Sequence, residues 1–151
     1  MKMRRTVIKK KGEESKILLS ILIPTLHRRI ENFNHLVKKL LNQIEVNDCQ
    51  KEVEIISHFD TKSIPLVKKR TQMLKNSSGK YITFIDDDDD ISEDYLKEIL
   101  PKLMENYDVI TFKQHCNLDG NQFYVKSSIY YELNDSNFDN VKREMYRYPW
   151  I

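Results

Sequence analysis

Residues 17–23 (ILLSILI) are almost continuously apolar and end at Pro24. A run this short and uniform predicts a strand buried on both faces, because a helix would repeat its apolar positions every three or four residues. That helical spacing begins next: Ile30, Phe33, Leu36, Val37, Leu40, Leu41 and Ile44 form one stripe, with His35, Lys38, Lys39 and Asn42 off it. The pattern is that of an amphipathic helix lying on a sheet. Residues 52–59 (EVEIISHF) predict a second strand. A second helix is expected over residues 64–76, with Ser63 as its cap and Pro65 in its first turn. It should stop at Ser77-Ser78-Gly79, where glycine permits a left-handed terminus. Residues 80–85 (KYITFI) predict a third strand.

The pattern then breaks into the consecutive aspartates Asp86, Asp87, Asp88, Asp89 and Asp90. Ser92, followed by Glu93 and Asp94, marks a new helix start, since a serine oxygen accepts an orphan amide and acids suit the positive helix end. Tyr95, Leu96, Ile99, Leu100, Leu103 and Met104 supply its buried stripe. Pro101 within that stripe is expected to kink or divide the helix, because it lacks an amide donor. Residues 107–112 predict a fourth strand, Asp119-Gly120 a turn, and residues 122–125 with 129–132 antiparallel ribbons. Strand and helix alternate, which predicts an α/β fold: a mostly parallel sheet flanked by helices on both faces, with right-handed crossovers. Ligands of such sheets bind beyond the carboxyl ends of the strands. No internal repeat or Gly, Pro or Ser-rich linker divides the chain.

Composition narrows the choices. A chain of 151 residues with 40% hydrophobic content is enough for one domain with a core. The net charge of +2 conceals an asymmetry, with six Lys or Arg among the first eleven residues against the aspartate run. The basic start has no interleaved aromatics and no amphipathic period, so it reads as a solvated, flexible terminus, and no nucleic-acid partner is expected. Cys49 and Cys116 stand far apart without a partner at ligand spacing, so neither a disulfide framework nor a zinc site is suggested. No apolar run approaches the roughly 20 residues of a membrane helix, and no signal peptide opens the chain. A cytoplasmic protein is expected. With three glycines there is no GxGxxG loop and no P-loop.

Neighbouring carboxylates repel one another and call for a cation. Oxygen-only ligands favour Mg²⁺, Mn²⁺ or Ca²⁺, and one or two carboxylates completed by phosphate oxygens is the usual Mg²⁺ arrangement. Most charge runs are solvated loops, and this one could merely cap the next helix. Its position at the carboxyl end of a buried strand favours metal binding instead. An EF-hand does not fit, because its sixth-position Gly and closing Glu are missing.

Several segments, in the right order, resemble the GT-A fold glycosyltransferases of the family 2 type over roughly residues 16–125. Ser20-Ile21-Leu22-Ile23-Pro24-Thr25 resembles the family's first strand and nucleotide-binding turn (SIIIPTYNR), with Arg28 at its arginine and Leu26 and His27 replacing the usual aromatic and Asn. Glu54-Ile55-Ile56 and then Asp60 resemble the second strand and its terminal acid, although Ser57, His58 and Phe59 depart from the usual VVD. Lys69-Arg70-Thr71 and the ungapped stretch from Ser77 to Asp89 resemble ARN...ASGEYIAFLDADD, and Leu96 falls where the family has an apolar residue opening its helix. The resemblance implies that Pro24, Thr25, Arg28, Asp60, Arg70, Asp86 and Asp87 bind a nucleotide sugar, with Asp60 accepting from the base. Asp86-Asp87-Asp88 would be the DxD motif. Asp88, with Asp86 as second choice, would hold Mn²⁺ or Mg²⁺ against the diphosphate, and Asp90 would be surplus. His27 and His58 read as strand-end or loop residues, since neither has metal-ligand spacing to another His.

The implied reaction is attack of an acceptor hydroxyl on the anomeric carbon of a nucleotide sugar, with inversion. A UDP-sugar is the first choice of donor, and the acceptor is a glycan, lipid or protein. A general base is also needed. In the resembled family it is an Asp or Glu well downstream of DxD, for which Asp135, Asp139 and Glu144 are fallback candidates. The expected division is a basic flexible tail over residues 1–15, a GT-A nucleotide-sugar-binding domain over 16–133, and the start of an acceptor-side or interface segment over 134–151. The closing MYRYPWI suggests a chain cut short, or a surface covered by a partner subunit or second copy. Two other classes stand beside this reading: a non-catalytic nucleotide-sugar-binding module, and a nucleotidyltransferase, although PTLHRR lacks the glycine such enzymes use.

Overall fold

A computed structural model of the chain describes residues 6–10, 15–111, 114–118 and 120–125. Arg5–Ile110 forms one compact unit. Its elements in chain order are β1 (Thr6–Lys9), β2 (Leu19–Leu26), a single 3-10 turn (His27–Arg29), α1 (Ile30–Val46), β3 (Val53–Asp60), α2 (Leu66–Asn76), β4 (Tyr81–Phe84), α3 (Tyr95–Met104) and β5 (Val109–Thr111). The sheet order is β3-β2-β4-β1-β5. β2 runs parallel to both β3 and β4, and β1 is antiparallel to β4. The step from β2 to β3 and the step from β3 to β4 run in opposite directions across the sheet, so right-handed crossovers put α1 and α2 on opposite faces. This is the expected α/β, GT-A-like architecture.

β2 is buried from Leu19 to Thr25, as a strand covered on both faces should be. It runs through Pro24 rather than stopping there. Its pairing with β4 ends at Leu22↔Phe84, while pairing with β3 continues to Leu26↔Asp60. Pro24 therefore sits where β2 has one neighbour only, an edge-like setting in which a missing amide is tolerated. The same mismatch leaves β2 and β3 projecting beyond β4, and this step in the sheet positions the site.

The basic start is not wholly a flexible tail. Val7 is fully buried and Ile8 is exposed, the alternation of a half-buried strand, and Val7 pairs with Thr83. Lys10 Nζ donates to Ser77 O at 2.6 Å. Two apolar residues among basic ones are too few for periodicity to reveal, but enough to add a strand between β4 and β5.

The helix ends also differ from expectation. Ser63 does not cap α2, which begins two residues later than expected, after Pro65, and has no side-chain cap; in the loop before it the Ile64 amide donates to the Asp60 carboxylate at 3.0 Å. α2 ends at Ser77 in extended geometry, with φ −81° and ψ 140°. Gly79 thus serves close approach rather than a left-handed terminus: a Cβ there would lie 2.4 Å from Ser20 Oγ and 2.5 Å from Ser20 N. Gly79 N donates to Ser20 Oγ at 2.8 Å, Ser20 Oγ donates to Glu54 Oε1 at 2.6 Å, and Ser78 N donates to that same carboxylate oxygen at 2.6 Å. This network fastens the start of β4 to β2 and β3. Ser92 offers α3 no side-chain cap; buried Gln43 of α1 accepts the Leu96 amide at 2.9 Å and donates to Ser92 O at 2.7 Å. Pro101 neither ends nor divides α3. It lies in the last turn of a ten-residue helix, where one backbone bond is lost and the buried stripe of Tyr95, Leu96, Ile99 and Leu103 still holds.

The remaining described residues form a hairpin of β6 (Gln114–Leu118) and β7 (Asn121–Val125), with Leu118 opposite Asn121. Gly120 takes φ +85° in its turn, and its amide donates to Asn117 Oδ1 at 3.1 Å. β7 pairs with β6; the ribbon expected over residues 129–132 lies outside the described residues, as does the expected acceptor-side segment 134–151.

Candidate functional site

β4 ends at Phe84, Ile85 is fully buried, and the chain turns through the aspartates with the Asp89 amide donating to Asp86 O at 3.0 Å. The turn buries Asp87 to 3% exposure and Asp89 to 8%, and leaves Asp88 and Asp90 exposed. Burying adjacent carboxylates needs positive charge. Three side chains from two helices and the 3-10 turn provide it. Arg70 of α2 bonds Asp86 Oδ1 at 2.8 Å, its guanidinium 5.1 Å from the centre of the Phe84 ring. Arg29 of the 3-10 turn bonds Asp87 Oδ1 at 2.8 Å and lies 3.5 Å from Asp88 Oδ2. Lys39 of α1 reaches Asp90 Oδ1 at 3.0 Å, Ile91 O at 2.8 Å and Glu93 Oε1 at 2.9 Å.

These pairings shift ionisation in the expected directions. The hydrogen bond to Asp87 raises the Arg29 pKa against the lowering effect of burial. Burial alone would raise the Asp90 pKa, but the bonds from Lys39 and the Ile91 amide outweigh it and hold the carboxyl below its ordinary value.

Of the residues matching the family's nucleotide-binding positions, Pro24 and Thr25 are buried in the projecting end of β2. Thr25 Oγ1 donates to Ile23 O at 3.3 Å. Arg28 is exposed, and it is its neighbour Arg29 that reaches the aspartates. Asp60 is almost fully enclosed, bonded to Lys69 Nζ and to the Ile64 amide. The Lys69 ammonium also donates to Thr25 O at 2.8 Å and is itself only 3% exposed. The Lys69 bond comes first among the causes that lower the Asp60 pKa. Asp60 is thus already engaged by a buried cation, and in the role of base acceptor that the resemblance gives it the carboxylate would accept the base alongside Lys69 and the Ile64 amide. On the other side of β3, Phe59 packs edge-on to Phe33 at 4.7 Å and lies 5.7 Å from the His27 ring. Asp135, Asp139 and Glu144 lie outside the described residues.

Arg29, Lys39, Gln43 and Lys69 are therefore members of the site or its supports that the sequence pattern did not single out. Lys69 had two legible signals, its place beside Arg70 in the matched motif and its i,i+4 spacing to buried Met73 on the inner face of α2. The others act across long sequence separations and left none.

The donor set suits a hard cation. The second carboxylate oxygen of Asp87 is buried without a hydrogen-bond partner, and Asp88 stands beside it at the surface. Among the described residues no group of three or more His, Cys, Asp or Glu side chains converges as a complete metal cage. One or two carboxylates are what the chain offers, and phosphate oxygens and water would have to complete the shell.

The sequence profile described as glycosyl transferase family 2 matches residues 20–149, from the start of β2 to nearly the last residue. The chain belongs to this family. The match decides against the nucleotidyltransferase alternative. Glycosyltransferase GlyA of Streptococcus pneumoniae serotype 4 is 29% identical over 93 residues, covering 57% of this family 2 chain and 13% of that protein. The chain therefore spans a small part of the length of the curated relative it matches. No solved structure matches it. Among the described residues no helix is long and apolar enough to cross a membrane.

Proposed function

We propose that this family 2 glycosyltransferase chain binds a nucleoside diphosphate sugar, a UDP-sugar in the first instance, for metal-dependent transfer to an acceptor hydroxyl with inversion. The observation that carries the reading is the aspartate turn at the carboxyl end of β4, beside the projecting ends of β2 and β3, where buried Asp87 keeps one carboxylate oxygen unpaired. Asp88, with Asp86 as the alternative, would hold Mn²⁺ or Mg²⁺ next to the diphosphate. When bound, the cation supplies Lewis-acid stabilisation of the negative charge growing on the departing diphosphate. Arg70 holds Asp86 in place through the 2.8 Å bond and adds positive charge at the same rim. The Ser20, Glu54 and Gly79 network fixes where β4 delivers the turn. The general base is sought downstream, with Asp135, Asp139 and Glu144 as its candidates in this chain.

The test is calorimetric titration of UDP, GDP and dTDP with and without Mn²⁺, repeated on Asp88→Ala and Asp86→Ala. Metal-dependent binding by the parent chain that Asp88→Ala abolishes supports the reading and identifies the base. Binding of equal strength with and without Mn²⁺ overturns it, and so does binding unchanged in both Asp88→Ala and Asp86→Ala; unchanged binding in Asp88→Ala alone moves the metal to Asp86. Metal-dependent nucleotide binding without any sugar transfer to added acceptors would favour the non-catalytic binding module.

A further inference from the structure

Arg29 holds the position a cation would take. Its Nη1 lies 2.8 Å from Asp87 Oδ1 and 3.5 Å from Asp88 Oδ2, so one guanidinium spans the two carboxylates assigned to the nucleotide and the metal. Arg70 is different, because its contact is with Asp86, and Lys39 is different again, because it serves Asp90 beyond the turn. Arg29 sits on the three-residue turn between β2 and α1, with about a third of its side chain exposed. A side chain so placed is long enough and free enough to change partner. Asp87 is 3% exposed, so removing its cation without replacement would leave a buried charge uncompensated. A divalent ion could take over that compensation, and the freed guanidinium would then stand beside the diphosphate, for which its planar fork is well suited.

We infer that Arg29 is an exchangeable counter-cation, which competes with the divalent metal for Asp87 and Asp88 and, once displaced, binds the diphosphate of the donor. The inference rests on the proposed metal site. It gives the chain an order of events: metal alone binds weakly, and metal with nucleotide binds well because the arginine then has an anion to accept it. It also assigns the diphosphate contact to Arg29 rather than to exposed Arg28, which occupies the family's arginine position.

The experiment uses the full chain and three proteins: the parent, Arg29→Met and Arg28→Met. Mn²⁺ binding is measured alone by electron paramagnetic resonance of the free ion, and nucleoside diphosphate binding by calorimetry at saturating Mn²⁺, using whichever of UDP, GDP and dTDP the parent binds. Arg29→Met should bind Mn²⁺ alone about tenfold more tightly and the nucleotide about tenfold more weakly, the scale of one charge-assisted contact. Arg28→Met removes the same charge one residue away and tests the competing assignment: the inference expects the larger loss of nucleotide binding at Arg29, and a loss at Arg28 as large or larger returns the diphosphate contact to the family's arginine position and overturns it. Opposite signs in one variant separate the exchange from damage to the fold, which would weaken both. Equal effects of the two variants on Mn²⁺ binding would mean a diffuse field rather than a contact and would overturn the inference. So would Mn²⁺ binding unchanged or weakened in Arg29→Met. If the parent shows no Mn²⁺ binding with nucleotide present, it is the underlying metal-site reading that fails.

Discussion

Replacing Gly79 by Ala should be among the most damaging single-methyl additions this chain can suffer. The new Cβ would lie 2.4 Å from Ser20 Oγ, 2.5 Å from Ser20 N and 2.8 Å from Tyr81 O, and two of those three are backbone atoms. Ser20 cannot yield, because it is fully buried on β2 with Glu54 on one side and Ile82 on the other. The segment before β4 must therefore move out by about 1 Å to reach ordinary contact distance. That move strains or breaks the bonds from Gly79 N to Ser20 Oγ and from Ser78 N to Glu54 Oε1. Overpacking costs about 1–3 kcal/mol, a neutral hydrogen bond about 1 and one to a carboxylate about 1.5–3. Together they give a loss of roughly 4 kcal/mol, or a Tm lowered by some 15 °C or more for a unit of about a hundred residues. Urea denaturation followed by far-ultraviolet circular dichroism measures it. Gly120→Ala is the control, since nothing lies within 4 Å of its added Cβ and only the strain of φ +85° opposes it, worth about 1–2 kcal/mol. A loss at Gly79 no greater than that at Gly120 would refute the close-approach argument.

Three further outcomes follow from buried polar contacts. Lys69→Met should lower Tm more than the double variant Lys69→Met with Asp60→Leu, because the single change strands a buried carboxylate and the double change removes the pair; a double variant less stable than the single one would contradict this. The Asp60 pKa is lowered in the folded chain, chiefly by Lys69, so its stabilising contribution is complete above the ordinary aspartate value near about pH 4 and is lost as pH falls through the folded-state pKa. Urea midpoints recorded across that acid range should fall more steeply for the parent than for the double variant. Gln43→Leu removes both the acceptor for the Leu96 amide and the donor to Ser92 O and should cost about 2 kcal/mol; a change below about 0.5 kcal/mol in the same melts would show that α1 does not cap α3.

The parallel strands and amphipathic helices were legible because their apolar patterns are long. β2, α1, β3, α2, β4 and α3 all appear near their expected places, with no boundary shifted by more than three residues. What was missed shares one cause, the absence of any local signature. β1 rests on Val7 and Ile8 alone. The starts of α2 and α3 carry plausible capping serines, yet α2 has no side-chain cap and the Leu96 amide of α3 is satisfied by Gln43, over fifty residues away in sequence. A serine near a helix start is locally sufficient, but tertiary contacts can supply a better-placed acceptor. Gly79 was noticed for the right residue type and the wrong reason: glycine's lack of a side chain, rather than its tolerance of positive φ, is what the position uses.

The aspartate run shows how far a motif can be read and where reading stops. Its position after a buried strand points to a candidate site, and the structure brings Arg70 to the run. Five like charges in sequence say nothing about which are buried, and burial is what separates their behaviour. Asp87 is enclosed with Arg29, Asp86 is half-buried under Arg70, and Asp90, surplus to the motif, ties the exit of the turn to α1 through Lys39. Each carboxylate is thus tied to a different element, so the turn is held at three points by opposite charge while Asp88 remains exposed and Asp87 retains an unpaired oxygen. A run that would repel itself in isolation becomes foldable because the cations come from the 3-10 turn, α1 and α2. In the proposed reading it is Arg29 that would set how readily a metal enters, since an ion bound by Asp87 and Asp88 would have to contend with it.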